Sequence, residues 1–160
     1  MSFFSTTKKP DPSINIVCMA NYCRSPVAEY LLEKELNGNI KVSSSGLNPF
    51  PNADMDPRSR EFLENKGINV GIHTPKRIDN IIARNSSLIL ALDIHVLREL
   101  NNQFTQHRKK IRLFSFLEPK INLSDPYRSG NEEYSEIMKK IDNICANYSK
   151  DFYFLASELN

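Results

Sequence analysis

Cys18, Arg24 and Asp125 are the residues of this chain whose types and placement could carry out covalent chemistry. Cys18 ends a short apolar run, Ile14-Asn15-Ile16-Val17. Arg24 follows six positions later, and Ser25-Pro26 opens a helical pattern. A loop between a strand and a helix turns backbone N–H groups and a helix amino terminus toward one spot, which suits a phosphate-like anion. The same positive field favours a thiolate. An arginine at the start of the helix can grip two anion oxygens with its planar fork. The chemistry implied is attack of the Cys18 sulfur on a phosphoryl group. That transfer needs an in-line nucleophile, positive partners for the equatorial oxygens and a proton for the leaving oxygen. Cys18, the loop amides with Arg24, and Asp125 of Asp125-Pro126-Tyr127 could supply these in turn. Asp125 would give a proton in the first step and act as base in the second.

Spacing alone leaves other readings open. A buried cysteine at a strand end and a surface arginine would show the same interval, and an aspartate before proline is a common turn former. Three features favour the chemical reading. The cysteine and arginine lie across a strand-to-helix turn. Ser25 can donate a hydrogen bond to a thiolate. Asn21 tolerates the left-handed backbone that a tight anion-cradling loop requires.

The elements that must position these residues can be read in order. Residues 1–13 are polar and are expected to form a mobile leader, with residues 14–160 as one domain. Ile14 to Cys18 reads as a strand. The helix from Ser25-Pro26 carries Ala28, Leu31, Leu32 and Leu36 on one face and ends at Asn37-Gly38-Asn39. Ile40 to Ser44 reads as a second strand, followed by a loop rich in Pro, Asn and Ser from Ser45 to Asn52. Asp56-Pro57 is a helix start with Phe62 and Leu63 inward and Gly67 as the stop. Ile78, Ile81 and Ile82 mark a short third helix. Leu88 to Leu92 is the most apolar run and reads as a central parallel strand. Asp93 then caps a helix with Val96, Leu97 and Leu100. Residues 101–110 are polar and basic, a solvated face. Ile111 to Phe114 is a fourth strand, Ser115 to Gly130 a long loop, and the last helix runs from Asn131 with Tyr134, Ile137, Met138, Ile141, Cys145 and Tyr148 in register. Alternating strands and helices imply an α/β fold: a four-stranded parallel sheet with helices on both faces, Rossmann-like and three-layered. Its ligand site is expected at the carboxyl ends of the strands.

The chain has 160 residues, 40% hydrophobic and 25% charged, enough for one core. A net charge of +2 gives no case for nucleic acid or an acidic membrane surface. No apolar run reaches the length of a membrane span, and the N-terminus shows no signal-peptide core, which implies a cytoplasmic protein. Three cysteines, Cys18, Cys23 and Cys145, do not read as a disulfide scaffold. Cys145 reads as a small buried hydrophobe. His73, His95 and His107 read as structural or solvated.

Val-Cys-Met-Ala-Asn-Tyr-Cys-Arg-Ser-Pro, followed by an Ala-Glu helix and a late Asp-Pro-Tyr, resembles the low-molecular-weight protein tyrosine phosphatases. The likeness extends from about Ile14 to Cys145 and takes in Ser-Ser-Ser-Gly-Leu at 43–47, Asp-Pro-Arg at 56–58, Ser-Leu-Ile-Leu-Ala-Leu-Asp at 87–93 and Ser-Asp-Pro-Tyr-Arg at 124–128. The last segment is most similar to bacterial members that act beside capsule- and exopolysaccharide-linked tyrosine kinases. The resemblance implies that Cys18 becomes a phosphocysteine, that Arg24 clamps phosphate, and that Asp125 is general acid and base. Met19, Ala20, Asn21, Tyr22, Cys23 and Ser25 would complete the phosphate loop, with Ser25 and Asn21 favouring the thiolate and holding the loop's shape. Cys23 matches the family's second cysteine, which can form a reversible disulfide with the nucleophile and make the enzyme redox-regulated. Tyr127 and Phe50 resemble the aromatic walls around the phenol ring. No metal or organic cofactor is implied. The partner implied is a phosphotyrosine-bearing protein such as a bacterial tyrosine kinase, with neither nucleic acid nor membrane.

Two positions depart from the family. Ala20 stands where glycine is usual, so a strained or reshaped loop is expected. Tyr22 is bulky where related arginine phosphatases carry Thr, which leans toward phosphotyrosine. Two rival readings follow. An arsenate reductase of the same fold needs further redox cysteines in mid-chain, and none lies between Cys23 and Cys145. A catalytically weak phosphate-binding module is motivated by Ala20, but leaves Asp125 without a purpose.

Overall fold

The structure, a computed structural model, describes residues 11–51, 53–151, 155 and 157–159. Most of the expected leader, residues 1–10, lies outside the described residues, as does Asn52 at the end of the expected loop.

Four strands form one parallel sheet: β1 (Ser13–Cys18), β2 (Lys41–Gly46), β3 (Leu88–Ala91) and β4 (Ile111–Leu113), in the order β2-β1-β3-β4. Helices α1 (Arg24–Glu35), α2 (Pro57–Asn65), α3 (Asn80–Asn85), α4 (Ile94–Gln103) and α5 (Asn131–Lys150) alternate with them. Strand alternation sorts the core into two layers. Ile14, Ile16, Leu88 and Leu90 face α1, α2 and α5, and are packed with Leu31, Leu63 and Met138. Val17, Ile89 and Ala91 face the other way, toward Ala83 of α3 and Val96 and Leu100 of α4. Each large aliphatic side chain removed from water in this way stabilises the fold by roughly 1.5–3 kcal/mol.

Several boundaries move from their expected places, each for a local reason. Ser13 belongs to β1 rather than to the leader: its N–H donates to Ser87 Oγ (3.0 Å) and its hydroxyl to the Asn85 carbonyl (3.0 Å). β2 runs on to Gly46 because Ser44 and Ser45 are buried and hydrogen-bonded rather than turn-forming. Ser45 Oγ donates to Asn15 Oδ1 at 2.6 Å, within the sheet. In α3, Ala83 is buried and Ile81 is exposed, while Ile78 packs just ahead of the helix. β3 and β4 each stop one residue short of their apolar runs. Residues 105–110 form a 3₁₀ helix with no buried residue, consistent with a solvated basic face. The six apolar residues expected on α5 are all buried, Cys145 among them. No described helix is long and apolar enough to cross a membrane.

The order β2-β1-β3 decides where a ligand can sit. The chain leaves β1 for one neighbour and later returns to its other side, so connections diverge at the carboxyl end of β1 and open a crevice there. Cys18 is the last residue of β1.

Candidate active site

Residues 18–23 form a loop whose carbonyls are all engaged from outside. The N–H groups of Leu47, Asn48 and Phe50 donate to the carbonyls of Cys18 (3.1 Å), Met19 (2.8 Å) and Ala20 (3.0 Å). His73 Nε2 donates to the Asn21 carbonyl (2.8 Å), which fixes its tautomer. The Asp56 N–H donates to Tyr22 (2.9 Å) and Ser59 Oγ to Cys23 (2.9 Å). In a planar trans peptide the next residue's N–H points opposite to the carbonyl. Six outward carbonyls therefore turn the N–H groups of residues 19–24 toward the inner side of the loop. Cys23 caps α1 without a side-chain hydrogen bond, so the helix's first amides also stay open on that side.

The loop rests on a buried polar floor. Asn21 has φ +50°, the left-handed turn expected of it. Its side-chain N–H₂ donates to Ser25 Oγ (2.8 Å) and Ser44 Oγ (3.0 Å), and its Oδ1 accepts from the Lys76 N–H (3.0 Å). The Ser44 hydroxyl in turn donates a hydrogen bond to the Glu29 carboxyl group. Ser25 Oγ, already accepting from Asn21, lies 3.0 Å from Cys18 Sγ and 3.4 Å from the Ser45 carbonyl, within hydrogen-bond reach of both. Gly46 closes the floor: a Cβ there would meet Asn21 N at 2.8 Å and Met19 O at 2.9 Å. Ala20 has no positive φ, so the expected strain falls away; Asn21 alone in this loop takes the left-handed turn.

Arg24 is not on the surface; it is 1% exposed. Its Nη1 donates to Asp93 Oδ2 (2.5 Å) and to the Leu123 carbonyl (2.7 Å), and its Nη2 lies 3.7 Å from Asp125 Oδ2. Its Nε is buried with no hydrogen-bond partner among the described residues. Burial alone would lower its pKa, but the charges of Cys18, Asp93 and Asp125 together hold it above the ordinary value. Asp93 was expected only as a helix cap. It does cap α4, through Oδ1 and the Val96 N–H (2.8 Å), and uses the second oxygen to hold Arg24.

Asp125 forms the expected turn and also reaches the site. Its Oδ1 accepts the Tyr127 N–H (3.1 Å) in a turn, while Oδ2 faces Arg24. A cleft of about 420 Å³ lies between the loop at 18–23, residues 48–51 and residues 125, 127 and 128. Met19, Ala20, Tyr22 and Cys23 line it with Cys18 and Arg24, whereas Asn21 and Ser25 lie beneath, fully buried. Phe50 and Tyr127 both stand at its mouth, and Tyr22 joins them. Tyr22 stacks on Phe50 with ring centroids 4.6 Å apart, and Tyr127 meets Tyr22 edge-on at 5.9 Å. Burial, then the charge of Asp56, raises the Tyr22 pKa, so this wall stays a neutral phenol. Cys23 Sγ faces Asp56 Oδ2 at 3.7 Å, and burial first of all pushes its thiol up to about 12. All three cysteines are free.

The sequence profile of the low molecular weight phosphotyrosine protein phosphatases matches residues 13–154. The chain belongs to that family. Among relatives of this phosphatase, the low molecular weight protein-tyrosine-phosphatase Etp of Escherichia coli (strain K12) is 30% identical over 139 residues, 86% of this chain and 93% of Etp. The tyrosine phosphatase Wzb of Escherichia coli K30, solved with sulphate, has a TM-score of 0.82 at 24% identity, covering 90% of this chain and 99% of that one. The YwlE arginine phosphatase of Geobacillus stearothermophilus has a TM-score of 0.82 at 20% identity, covering 92% and 96%. The same fold is thus found in a tyrosine phosphatase and in an arginine phosphatase.

Proposed function

We propose that this member of the phosphatase family hydrolyses phosphotyrosine in proteins through a phosphocysteine on Cys18. One observation carries the reading: six outward-bound carbonyls leave a run of amides facing the inner side of the Cys18 loop, beside a buried Arg24 whose Nε has no partner among the described residues. That arrangement suits a dianion with oxygens on several sides. In the first step the Cys18 sulfur attacks phosphorus and the bond to the phenolic oxygen breaks, while Asp125 gives that oxygen its proton. In the second, Asp125 takes a proton from water as the water oxygen attacks phosphorus; the sulfur–phosphorus bond breaks and phosphate leaves. The amides and Arg24 hold the equatorial oxygens throughout.

The aromatic walls favour phosphotyrosine over phosphoarginine. Tyr22, Phe50 and Tyr127 offer faces and edges to a phenyl ring. A phosphorylated protein, such as an autophosphorylated bacterial tyrosine kinase, is the partner we assign. Free thiols suit a reducing compartment, and we place the enzyme in the cytoplasm, with residues 14–160 as its single domain. Cys23 is assigned a protective role. Peroxide would convert the Cys18 thiolate to a sulfenic acid, and the Cys23 sulfur would displace its oxygen as water to leave a disulfide. Mild peroxide should inactivate the wild type reversibly and Cys23→Ser irreversibly; equal recovery after thiol treatment would remove that role.

The test of the main reading is hydrolysis of aryl phosphates by the wild type, Cys18→Ser and Asp125→Ala without added metal. Cys18→Ser should show no turnover. Asp125→Ala should lose most with weakly acidic phenols and least with phenols that leave unaided. Turnover surviving in Cys18→Ser would overturn the mechanism. A wild type that binds phosphate yet hydrolyses no aryl phosphate would favour the binding-module reading.

A further inference from the structure

Cys18 and Asp125 come from opposite ends of the chain, so something must hold their two loops in register. Arg58, near the start of α2, makes five contacts that do this. Its Nε donates to Asp56 Oδ1 (3.1 Å) and its Nη2 to Asp56 Oδ2 (2.9 Å), a bidentate grip on one carboxylate. The rest of the fork reaches across to the other loop: Nη2 donates to the Tyr127 carbonyl (3.0 Å) and Nη1 to the Ser129 carbonyl (2.9 Å). The guanidinium carbon lies 3.9 Å from the Tyr134 ring centroid, at the start of α5.

Asp56 ties this fork to the nucleophile's side. Its N–H donates to the Tyr22 carbonyl (2.9 Å) and its Oδ2 faces Cys23 Sγ (3.7 Å). On the other side, the Tyr127 N–H donates to Asp125 Oδ1 while the Tyr127 carbonyl accepts from Arg58. The residue that orients the Asp125 carboxylate is therefore itself pinned by Arg58. Arg58 touches neither Cys18 nor Asp125 in any of these contacts. It joins the phosphate loop to the acid loop through Asp56 on one side and Tyr127 on the other.

We propose that Arg58 is a positioning residue for proton transfer, setting Asp125 and Tyr127 over the Cys18 loop. The proposal rests on the reading of Asp125 as the proton donor. A residue that merely holds the fold together would, when replaced, slow every substrate alike. A residue that aims the acid slows only those substrates that need the proton. A lysine keeps the charge but cannot reproduce the planar fork, so it should restore the function in part.

The experiment measures kcat/KM, which reports the steps through phosphorus–oxygen cleavage, for aryl phosphates whose phenols span a wide range of acidity. The proteins are the wild type, Arg58→Gln, Arg58→Lys, Asp125→Ala and the Arg58→Gln/Asp125→Ala double variant. Arg58→Gln should lose about 10- to 100-fold with weakly acidic phenols, in line with the cost of a misplaced catalytic group, and almost nothing with the most acidic. Arg58→Lys should fall between Arg58→Gln and the wild type, and it carries the same test should Arg58→Gln not fold. The double variant should be no slower than Asp125→Ala alone, because a positioner has nothing left to aim. Inhibition by inorganic phosphate should be unchanged in Arg58→Gln and Arg58→Lys. A steep leaving-group dependence for Asp125→Ala with a uniform loss, or none, for the Arg58 variants would overturn the role of Arg58 alone. Additive losses in the double variant would do the same. A flat dependence for Asp125→Ala would remove the acid itself, and the role of Arg58 with it.

Discussion

Between residues 18 and 23 every carbonyl is held from outside, and Asn21, Arg24 and Ser25 beside Cys18 are all but inaccessible to water. Between residues 115 and 130 no regular element forms, and the Asp125 side chain is 45% exposed. This second loop is held at the cleft by guanidinium groups from the other half of the chain: Arg24 on the Leu123 carbonyl, and Arg58 on Tyr127 and Ser129. The contrast matches what each loop would have to do in the proposed reaction. Amides that stabilise a transition state work by being fixed before it forms, which demands a saturated, buried frame. An acid that must exchange protons with a leaving group and then with water needs access to solvent. Damage to the first loop should therefore affect all substrates, whereas damage to the second should depend on the leaving group.

That contrast can be broken in graded steps. Cys18→Ser, with the largest effect, should abolish turnover whatever the leaving group. Asp125→Ala should cost about 10²- to 10⁴-fold where the phenol needs a proton, measured across the same aryl series. Asp93→Asn keeps the cap on α4 but removes the charge facing Arg24. Loss of that charged hydrogen bond should lower stability by about 2 kcal/mol in a denaturant melt, and added phosphate should restore part of it by pairing with Arg24. Unchanged stability would mean that Asp93 matters only as a cap. Tyr22→Thr removes one stacked wall and should reduce kcat/KM for aryl phosphates about 3- to 10-fold, leaving phosphate inhibition alone. A larger loss of phosphate binding would place Tyr22 in the phosphate loop's frame instead. The smallest effect concerns Cys23. With its thiol pushed up to about 12, it is protonated at pH 8, and its alkylation should rise about tenfold per pH unit toward that value. At pH 8 iodoacetamide should modify Cys18 first; modification of Cys23 ahead of it would contradict the environments described.

What could be read from the sequence was whatever local chemistry encodes. Leu88 to Leu92 announces a buried strand, and Asp56-Pro57 and Asp93 announce helix starts. What escaped depends on side chains with two partners. A carboxylate has two oxygens, and the sequence shows only the cap made by one of them. The second oxygen of Asp93 holds Arg24, 69 positions away. The same holds for Arg58, whose fork reaches Ser129 across 71 positions. His73 carries no local mark of its bond to Asn21. The end of β2 is hidden because Ser45 resembles a loop residue until its hydroxyl is seen bonded to Asn15. Gly46 did leave a signal, a glycine at a strand end, which means another backbone passes close by. Ala20 was over-read: the strain attributed to it belongs to its neighbour, which is an asparagine suited to that backbone.

The central claim is that the phosphoryl group passes through the Cys18 sulfur. Rapid acid quenching of the enzyme during turnover of an aryl phosphate, followed by peptide mass analysis, tests it most directly. The peptide containing Cys18 should carry one phosphoryl group on sulfur, formed and lost at rates that account for turnover, and Asp125→Ala should prolong it. Turnover with no phosphate on that peptide, or with phosphate on another residue, would contradict the account.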